Sequence, residues 1–284
     1  MCRLVAYLGH EVLLEEVLVK PVNSIVMQSL HSRESDTRTN GDGFGLGWYA
    51  PSISDTPGLF RSILPAWNDW NLLNLTEKIK SPCFFAHVRA ASTGGVSQYN
   101  CHPFVHGRWM FMHNGEIFKF SLIKRHLRHL LDDDIYDWLN GETDSEHFFA
   151  LFLQLSKGKD LNQLSVVTQV LQNTFQQMDD LVKKFGEIGP CYYNVCLTDG
   201  FRMIASRYCT DIQFVPETMH YSFDSDFLIQ PSRFGCWPLL RGGQRGGFLI
   251  ASEKLNNFDI EWQDVPVNHL IEVDTDLSVH LQPL

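Results

Sequence analysis

The sequence has no CxxC pair. Its seven cysteines (Cys2, Cys83, Cys101, Cys191, Cys196, Cys209 and Cys236) are odd in number and scattered. That suits reduced thiols in a cytoplasmic protein better than a disulfide scaffold. Basic residues are scarce: 23 Lys and Arg stand against 33 Asp and Glu, a formal net charge of −10. A general nucleic-acid binder would need a basic surface to displace counterions, so the charge argues for solubility instead. No apolar run approaches the roughly 20 residues of a membrane span. The apolar stretch at residues 4–8 is too short for a secretion signal, and Glu11 interrupts it. His87, His102, His106 and His113 lie near one another in sequence, but no HxH, HExxH or Cys/His ligand spacing organises them, so no metal is expected. His87, inside an apolar strand, reads as a core histidine. No internal repeat or low-complexity linker occurs.

Two glycine-rich stretches also lack what a ligand motif requires. "GDGFGLG" (41–47) would need a third glycine at position 48 and a following helix to bind a dinucleotide; Trp48 and strand residues stand there. Its alternating glycines predict a strand with one face kept bare for close backbone approach. "RGGQRGG" (241–247) reads as a surface loop in so acidic a chain.

What is present is an ordinary globular composition over 284 residues, 44% apolar and 12% aromatic. Arg3 to Leu8 reads as a short buried strand. Residues 11–30 show mixed helical spacing, broken near Pro21. "CFFAHVRAAS" (83–92) reads as a strand ending in a polar turn, and "RWMFMHNGEI" (108–117) as a second strand with a turn at Asn114-Gly115. Residues 121–131 carry helical apolar spacing. "TDSEHFFALFLQL" opens with a capping signal at Thr143 or Asp144, with Glu146 three residues after Thr143, and predicts a helix to about residue 156. A second long helix is expected over 160–185. "DDD" at 132–134 reads as a solvated helix end. From Gly189 the pattern is β, with a hairpin turning at Asp199-Gly200. Strands, then helices, then strands again define an α+β chain with mostly antiparallel pairing.

Four short stretches carry candidate chemistry. Cys2 follows the start methionine, and Met1 is expected to be removed because cysteine is small. The mature chain would then present a thiol and an α-amine on one residue. An α-amine has a pKa of about 7.7–8.0, suited to a general base. In "HVRAAS", Arg89 can grip a carboxylate with two parallel hydrogen bonds. In "HNG", the Asn114 amide and the Gly115 N–H form the donor pair an oxyanion hole needs. In "TDSE", Asp144 can hold an ammonium group. Taken singly, each has a plain reading: an incidental cysteine, a salt bridge, a hairpin turn, a helix cap. Together they supply nucleophile, base, oxyanion donors and clamps for an amino-acid head group. That set suits cleavage of a γ-glutamyl amide.

On these residues the chain resembles the class II glutamine amidotransferases, which are N-terminal nucleophile hydrolases. Their pattern is an N-terminal Cys, an Arg in H-x-R-x-A-[TS], an Asn-Gly pair and an Asp before a helix. It falls here on Cys2, Arg89, Asn114-Gly115 and Asp144, in the family's order. The resemblance also implies that Ser92, Thr93 and Gly94 line the glutamate pocket. "NGDGFGLGWY", "PAWNDWNL", "NCHPF" and "TDSEHFFALF" are most similar to stand-alone members: the amidotransferase subunit of a glutathione-degrading complex and the γ-glutamyl hydrolase of ergothioneine synthesis. The resemblance implies a four-layer αββα sandwich with two antiparallel sheets and one amidotransferase-type domain over 1–284. It implies no metal or organic cofactor. The expected reaction is hydrolysis of a γ-glutamyl amide, in glutamine, glutathione or a related small molecule, through a Cys2 thioester. Two alternatives stay open. One is a glutaminase subunit giving ammonia to a separate synthetase partner, since these residues carry no synthase domain. The other is an inactive interaction module.

Overall fold

The computed structural model describes residues 2–91, 94–223, 246–256 and 262–284. In chain order these form β1 (Arg3–Leu13), α1 (Leu14–Leu18), α2 (Ile25–Leu30), β2 (Phe44–Ala50), β3 (Ser54–Ser62), α3 (Trp70–Thr76) and β4 (Lys80–Val88). Next come β5 (Phe104–His106), β6 (Trp109–Glu116), α4 (Phe120–Arg128), α5 (Asp133–Trp138), α6 (Asp144–Ser156) and α7 (Leu164–Phe185). The chain closes with β7 (Tyr192–Thr198), β8 (Met203–Cys209), β9 (His220–Phe223), β10 (Gly247–Ala251), β11 (Gln263–Asp264), β12 (His269–Val273) and β13 (Val279–Pro283). One sheet has the order β11-β9-β10-β1-β4-β2-β3 and the other β13-β12-β8-β7-β6-β5. The pairings are antiparallel throughout.

The period-2 alternation of the strands builds the layers. Leu4, Ala6 and Leu8 of β1 meet Met110 and Met112 of β6 and Cys196 of β7 between the two sheets. Val5 and Tyr7, pointing the other way, pack under Leu14, Val17, Ile25 and Leu72 of the small helices α1, α2 and α3. On the far side, Phe111, Tyr193 and Val195 pack against α4, α6 and α7. The result is helix, sheet, sheet, helix, an α+β sandwich of four layers. β1 is buried on both faces, which is why its first half reads as one unbroken apolar run. α6 is apolar nearly all round because α4, α5, α7 and β6 surround it. Its Phe148, Phe149 and Phe152 join Phe111 and Phe175 in an aromatic cluster.

The bare face of β2 is real. A Cβ on Gly45 would lie 1.9 Å from the His102 carbonyl oxygen, and one on Gly47 would lie 2.3 Å from the Met110 sulfur. The Asp199-Gly200 hairpin joins β7 to β8, with Gly200 at φ +91°. Asp132 to Asp134 form the exposed N-terminal end of α5, and Lys157 pairs with Asp132 at 2.8 Å and Asp134 at 2.5 Å.

One expectation is corrected. Asn114-Gly115 is not a turn: β6 runs straight through it, with Asn114 opposite Asn194 and Gly115 opposite Tyr193 on β7. Gly115 does not have a positive φ. A Cβ there would sit 2.0 Å from the Tyr192 carbonyl oxygen and 2.4 Å from His113 Nε2. The glycine serves close approach within a ladder. In "RGGQRGG", residues 241–245 lie outside the described residues, while Gly246 leads directly into β10. No helix among the described residues is long and apolar enough to cross a membrane.

Candidate active site

Strand pairing brings Cys2 beside the segment that follows Arg89. β1 pairs with β4 so that Arg3 lies opposite Val88. The residue before Arg3 therefore faces the chain that leaves β4. The Cys2 thiol is accordingly 3.4 Å from both the N–H and the carbonyl oxygen of Ala90. Burial raises the thiol's pKa. The Ala90 N–H and the positive charges of Arg89 and Arg3 offset part of that rise. Met1 lies outside the described residues.

Arg89 is buried and anchors the loop it begins. Its guanidinium donates to the carbonyls of Gly95 (3.1 Å) and Gly94 (3.3 Å). Gly94 takes φ +72°, which favours glycine. Asp42 holds the loop's other side, accepting from the Ala91 N–H at 2.8 Å. Ser92 and Thr93, expected in the glutamate pocket, lie outside the described residues.

The second half of the site is built on regular elements. Thr143 is the N-cap of α6, its hydroxyl accepting from the Glu146 N–H at 3.1 Å. This puts Asp144 in the first helical turn, not at the cap. Glu146 reaches back to the N–H groups of Asn140 (3.0 Å) and Gly141 (2.7 Å). Asp144 Oδ2 accepts from the Ile117 N–H at 2.9 Å, and Oδ1 from the Ser145 N–H at 2.8 Å. The carboxylate thus fastens the end of β6, where Asn114 and Gly115 sit, to the start of α6. His113 adds a second tie. Its Nε2 donates to the Tyr192 carbonyl at 2.8 Å, and Nδ1 lies 2.9 Å from the Ser145 hydroxyl, which also contacts Asp144 Oδ1 at 3.2 Å. Burial lowers the His113 pKa, against the opposing pull of the nearby Asp144 carboxylate.

The two halves are joined. Gly95 O, held by Arg89, also accepts from Asn100 Nδ2 at 2.7 Å; Asn100 Oδ1 then accepts from the Glu142 N–H at 2.9 Å, two residues before Asp144. Hydrogen bonds therefore connect Arg89 to the backbone of Glu142, just before α6.

Some contributors have no local sequence signal. Arg3 is fully buried. Its guanidinium pairs with Glu217 at 2.8 Å and Glu253 at 3.4 Å, as a buried charge requires. Glu253 also accepts from the N–H groups of Arg33 (3.0 Å) and Glu34 (3.1 Å), which fixes the loop after α2. Glu217 forms the inner wall of a cleft of about 710 Å³, bounded also by Arg33, Glu34, Arg207 and Thr218. Ser252, just after β10, contacts both β1 and Asn114. These partners come from more than 200 residues away along the chain, so nothing near Cys2 announces them. Among the described residues no three His, Cys, Asp or Glu side chains gather as a metal site, and the six described cysteines are free thiols.

A sandwich of this kind, with Cys2 at the tip of a central strand, defines a class, and comparison with known proteins agrees. The family model "Glutamine amidotransferases class-II" matches residues 1–275. A probable glutamine amidotransferase of Saccharomyces cerevisiae, DUG3, is 35% identical over 96% of this chain and 82% of its own length. A γ-glutamyl-hercynylcysteine sulfoxide hydrolase of Mycobacterium tuberculosis is 30% identical over 96% of this chain and 93% of its own. Among solved structures, a glutamine aminotransferase class-II domain protein from Silicibacter pomeroyi superposes with a TM-score of 0.69 at 23% identity, covering 99% of both chains. The chain belongs to the class II glutamine amidotransferases, a family of amidotransferase and hydrolase enzymes, and has their N-terminal nucleophile hydrolase fold.

Proposed function

We propose that the chain, acting as one amidotransferase-type domain over residues 1–284, hydrolyses the γ-glutamyl amide bond of a small molecule. The observation that carries this reading is the Cys2 thiol lying against Ala90, the residue after Arg89, and it is supported by Ser252 contacting both the Asn114 amide and Leu4 of the nucleophile strand. Arg89 receives the α-carboxylate of the γ-glutamyl group, exchanging loop carbonyls for a charged partner. Asp144 receives the α-ammonium. Ser92 and Thr93 complete the pocket. With Met1 removed, the Cys2 amine takes the thiol proton, and the thiolate attacks the side-chain carbonyl carbon. Asn114 Nδ2 and the Gly115 N–H stabilise the oxyanion. The amine then protonates the leaving nitrogen, and a γ-glutamyl thioester remains. Water, deprotonated by the same amine, releases glutamate.

The thiol's raised pKa supports a separate base, since burial disfavours the thiolate before the amine acts. The six described cysteines are unpaired, which fits a cytoplasmic setting. The named relatives support γ-glutamyl chemistry, one as an amidotransferase and one as a γ-glutamyl hydrolase. The amidotransferase relative favours one second reading, transfer of released ammonia to a separate partner synthetase. The deciding experiment assays the Met1-free protein against glutamine, glutathione and other γ-glutamyl amides, with Cys2→Ala as control. Glutamate release from at least one of them, absent in Cys2→Ala, is expected. Release from glutamine alone, rising with an added synthetase, selects the second reading. Equal release by Cys2→Ala overturns both.

A further inference from the structure

Asn114 is buried, and its amide is incompletely matched. Nδ2 donates to Ser252 Oγ at 3.4 Å, while Oδ1 has no hydrogen-bond partner. Ser252 is incompletely matched in the complementary sense. Its Oγ accepts from the Leu4 N–H at 3.0 Å and from Asn114, yet the hydroxyl has no acceptor among the described residues for its own hydrogen. A hydroxyl carries one donor and two acceptor sites, and a side-chain amide carries donors at one end and acceptor sites at the other. Here two acceptor sites of Oγ are filled and its donor is idle, beside an amide oxygen with nothing to accept. Turning the Asn114 amide by half a turn resolves both faults at once. Oδ1 then accepts the Ser252 hydroxyl hydrogen, and Nδ2 points away from Ser252.

We propose that Ser252 is a positioning residue that orients Asn114 for catalysis, its hydroxyl donating to Asn114 Oδ1 so that Nδ2 is presented to the substrate oxyanion. This rests on the reading of Asn114 as an oxyanion donor. The backbone around Ser252 suits the task. The Ser252 N–H donates to the Leu4 carbonyl at 3.0 Å while its hydroxyl takes the Leu4 N–H. Ser252 is therefore clamped to β1 two residues beyond Cys2. It is clamped from the other side by Thr218, whose hydroxyl donates to the Ser252 carbonyl at 2.9 Å. One side chain thus sets the Asn114 amide, on one sheet, relative to the nucleophile strand on the other. The 3.4 Å separation is long for a hydroxyl hydrogen bond, and contacts of this kind tighten in the substrate complex.

The test is a double-mutant cycle on the processed enzyme, with kcat and KM measured separately. Asn114→Ala should lower kcat by about 10²–10³, the usual effect of losing one oxyanion donor. Ser252→Ala should lower kcat by about tenfold with KM nearly unchanged, and Ser252→Thr, which keeps the hydroxyl, should restore most of the loss. In the Asn114→Ala background, Ser252→Ala should have no further effect on kcat, because its influence passes through the amide. Full additivity of the two losses, or a Ser252→Ala kcat equal to wild type beside an impaired Asn114→Ala, overturns the positioning role and leaves the oxyanion reading standing. An unimpaired Asn114→Ala overturns that reading itself. The Ser252→Thr arm guards against a fold lost with the Leu4 hydrogen bond.

Discussion

The two halves of the site are made in different ways. Asn114, Gly115 and Asp144 stand on β6 and the first turn of α6, fixed by a strand ladder, a helix cap and backbone N–H groups donated to the Asp144 carboxylate. Arg89 and its neighbours stand on a loop leaving β4, fixed by the arginine's own bonds to Gly94 and Gly95. Cys2 is tied to Ala90 of the loop side. Elements hold a polar group rigidly, as an oxyanion hole must be held. A loop can reshape when an amino-acid head group enters. On the proposed roles, the rigid half supplies the oxyanion donors and the ammonium clamp, and the loop half supplies the carboxylate clamp.

Substitutions can break this division, and they fall in a clear order. Cys2→Ala removes the nucleophile shared by both halves and should reduce turnover by about 10⁶, a full loss of the covalent route; glutamate-release kinetics read it. Asn114→Ala, in the rigid half, should reduce kcat by about 10²–10³, roughly 2.7–4 kcal/mol, with KM little altered. Arg89→Lys, in the loop half, should instead raise KM by about 10- to 100-fold, the range for losing a hydrogen bond to a charged partner. If Arg89→Lys lowered kcat and left KM alone, the division of labour would be wrong.

A separate effect is on stability, and it involves a histidine from each half. His87 on β4 and His147 on α6 are both held neutral, their pKa values lowered to about 3, chiefly by burial. His147 shows the fit, with Nδ1 donating to the Thr143 carbonyl and Nε2 accepting from Arg128. A histidine in the unfolded chain titrates near 6.5, so below that pH the unfolded state binds more protons than the folded one. Stability is complete above about pH 6.5 and is lost as the pH falls from there toward 3. The loss approaches about 1.4 kcal/mol per pH unit for each such histidine. Urea unfolding at pH 7 and pH 5 should show it, and His147→Gln should flatten the dependence by one histidine's share. A pH-independent midpoint would contradict the neutral assignment.

Much of this was legible in the sequence. The alternation of β7 and β8 around Asp199-Gly200, the capping signal at Thr143 and the bare glycine face of β2 are local patterns, and local physics produced them. The order of Cys2, Arg89, Asn114-Gly115 and Asp144 is equally visible. What was hidden depends on distant chain. Asn-Gly is the strongest turn dipeptide when judged alone. It stays in a strand here because β7, some 80 residues on, lays the Tyr192 carbonyl where a side chain would stand. Arg3 opens the buried strand read from the sequence, but its partners Glu217 and Glu253 have no local signal. Ser252 carries no pattern at all. Its place is set by β10 closing against β1.

The most direct test of the central claim is intact mass after rapid quenching of turnover. Met1-free protein is mixed with a γ-glutamyl substrate that releases glutamate and denatured within the first turnover. The account predicts a mass gain of one γ-glutamyl group, mapped by peptide analysis to Cys2 and absent in Cys2→Ala. Full activity in a chain that retains Met1, or an adduct on any other residue, would contradict it.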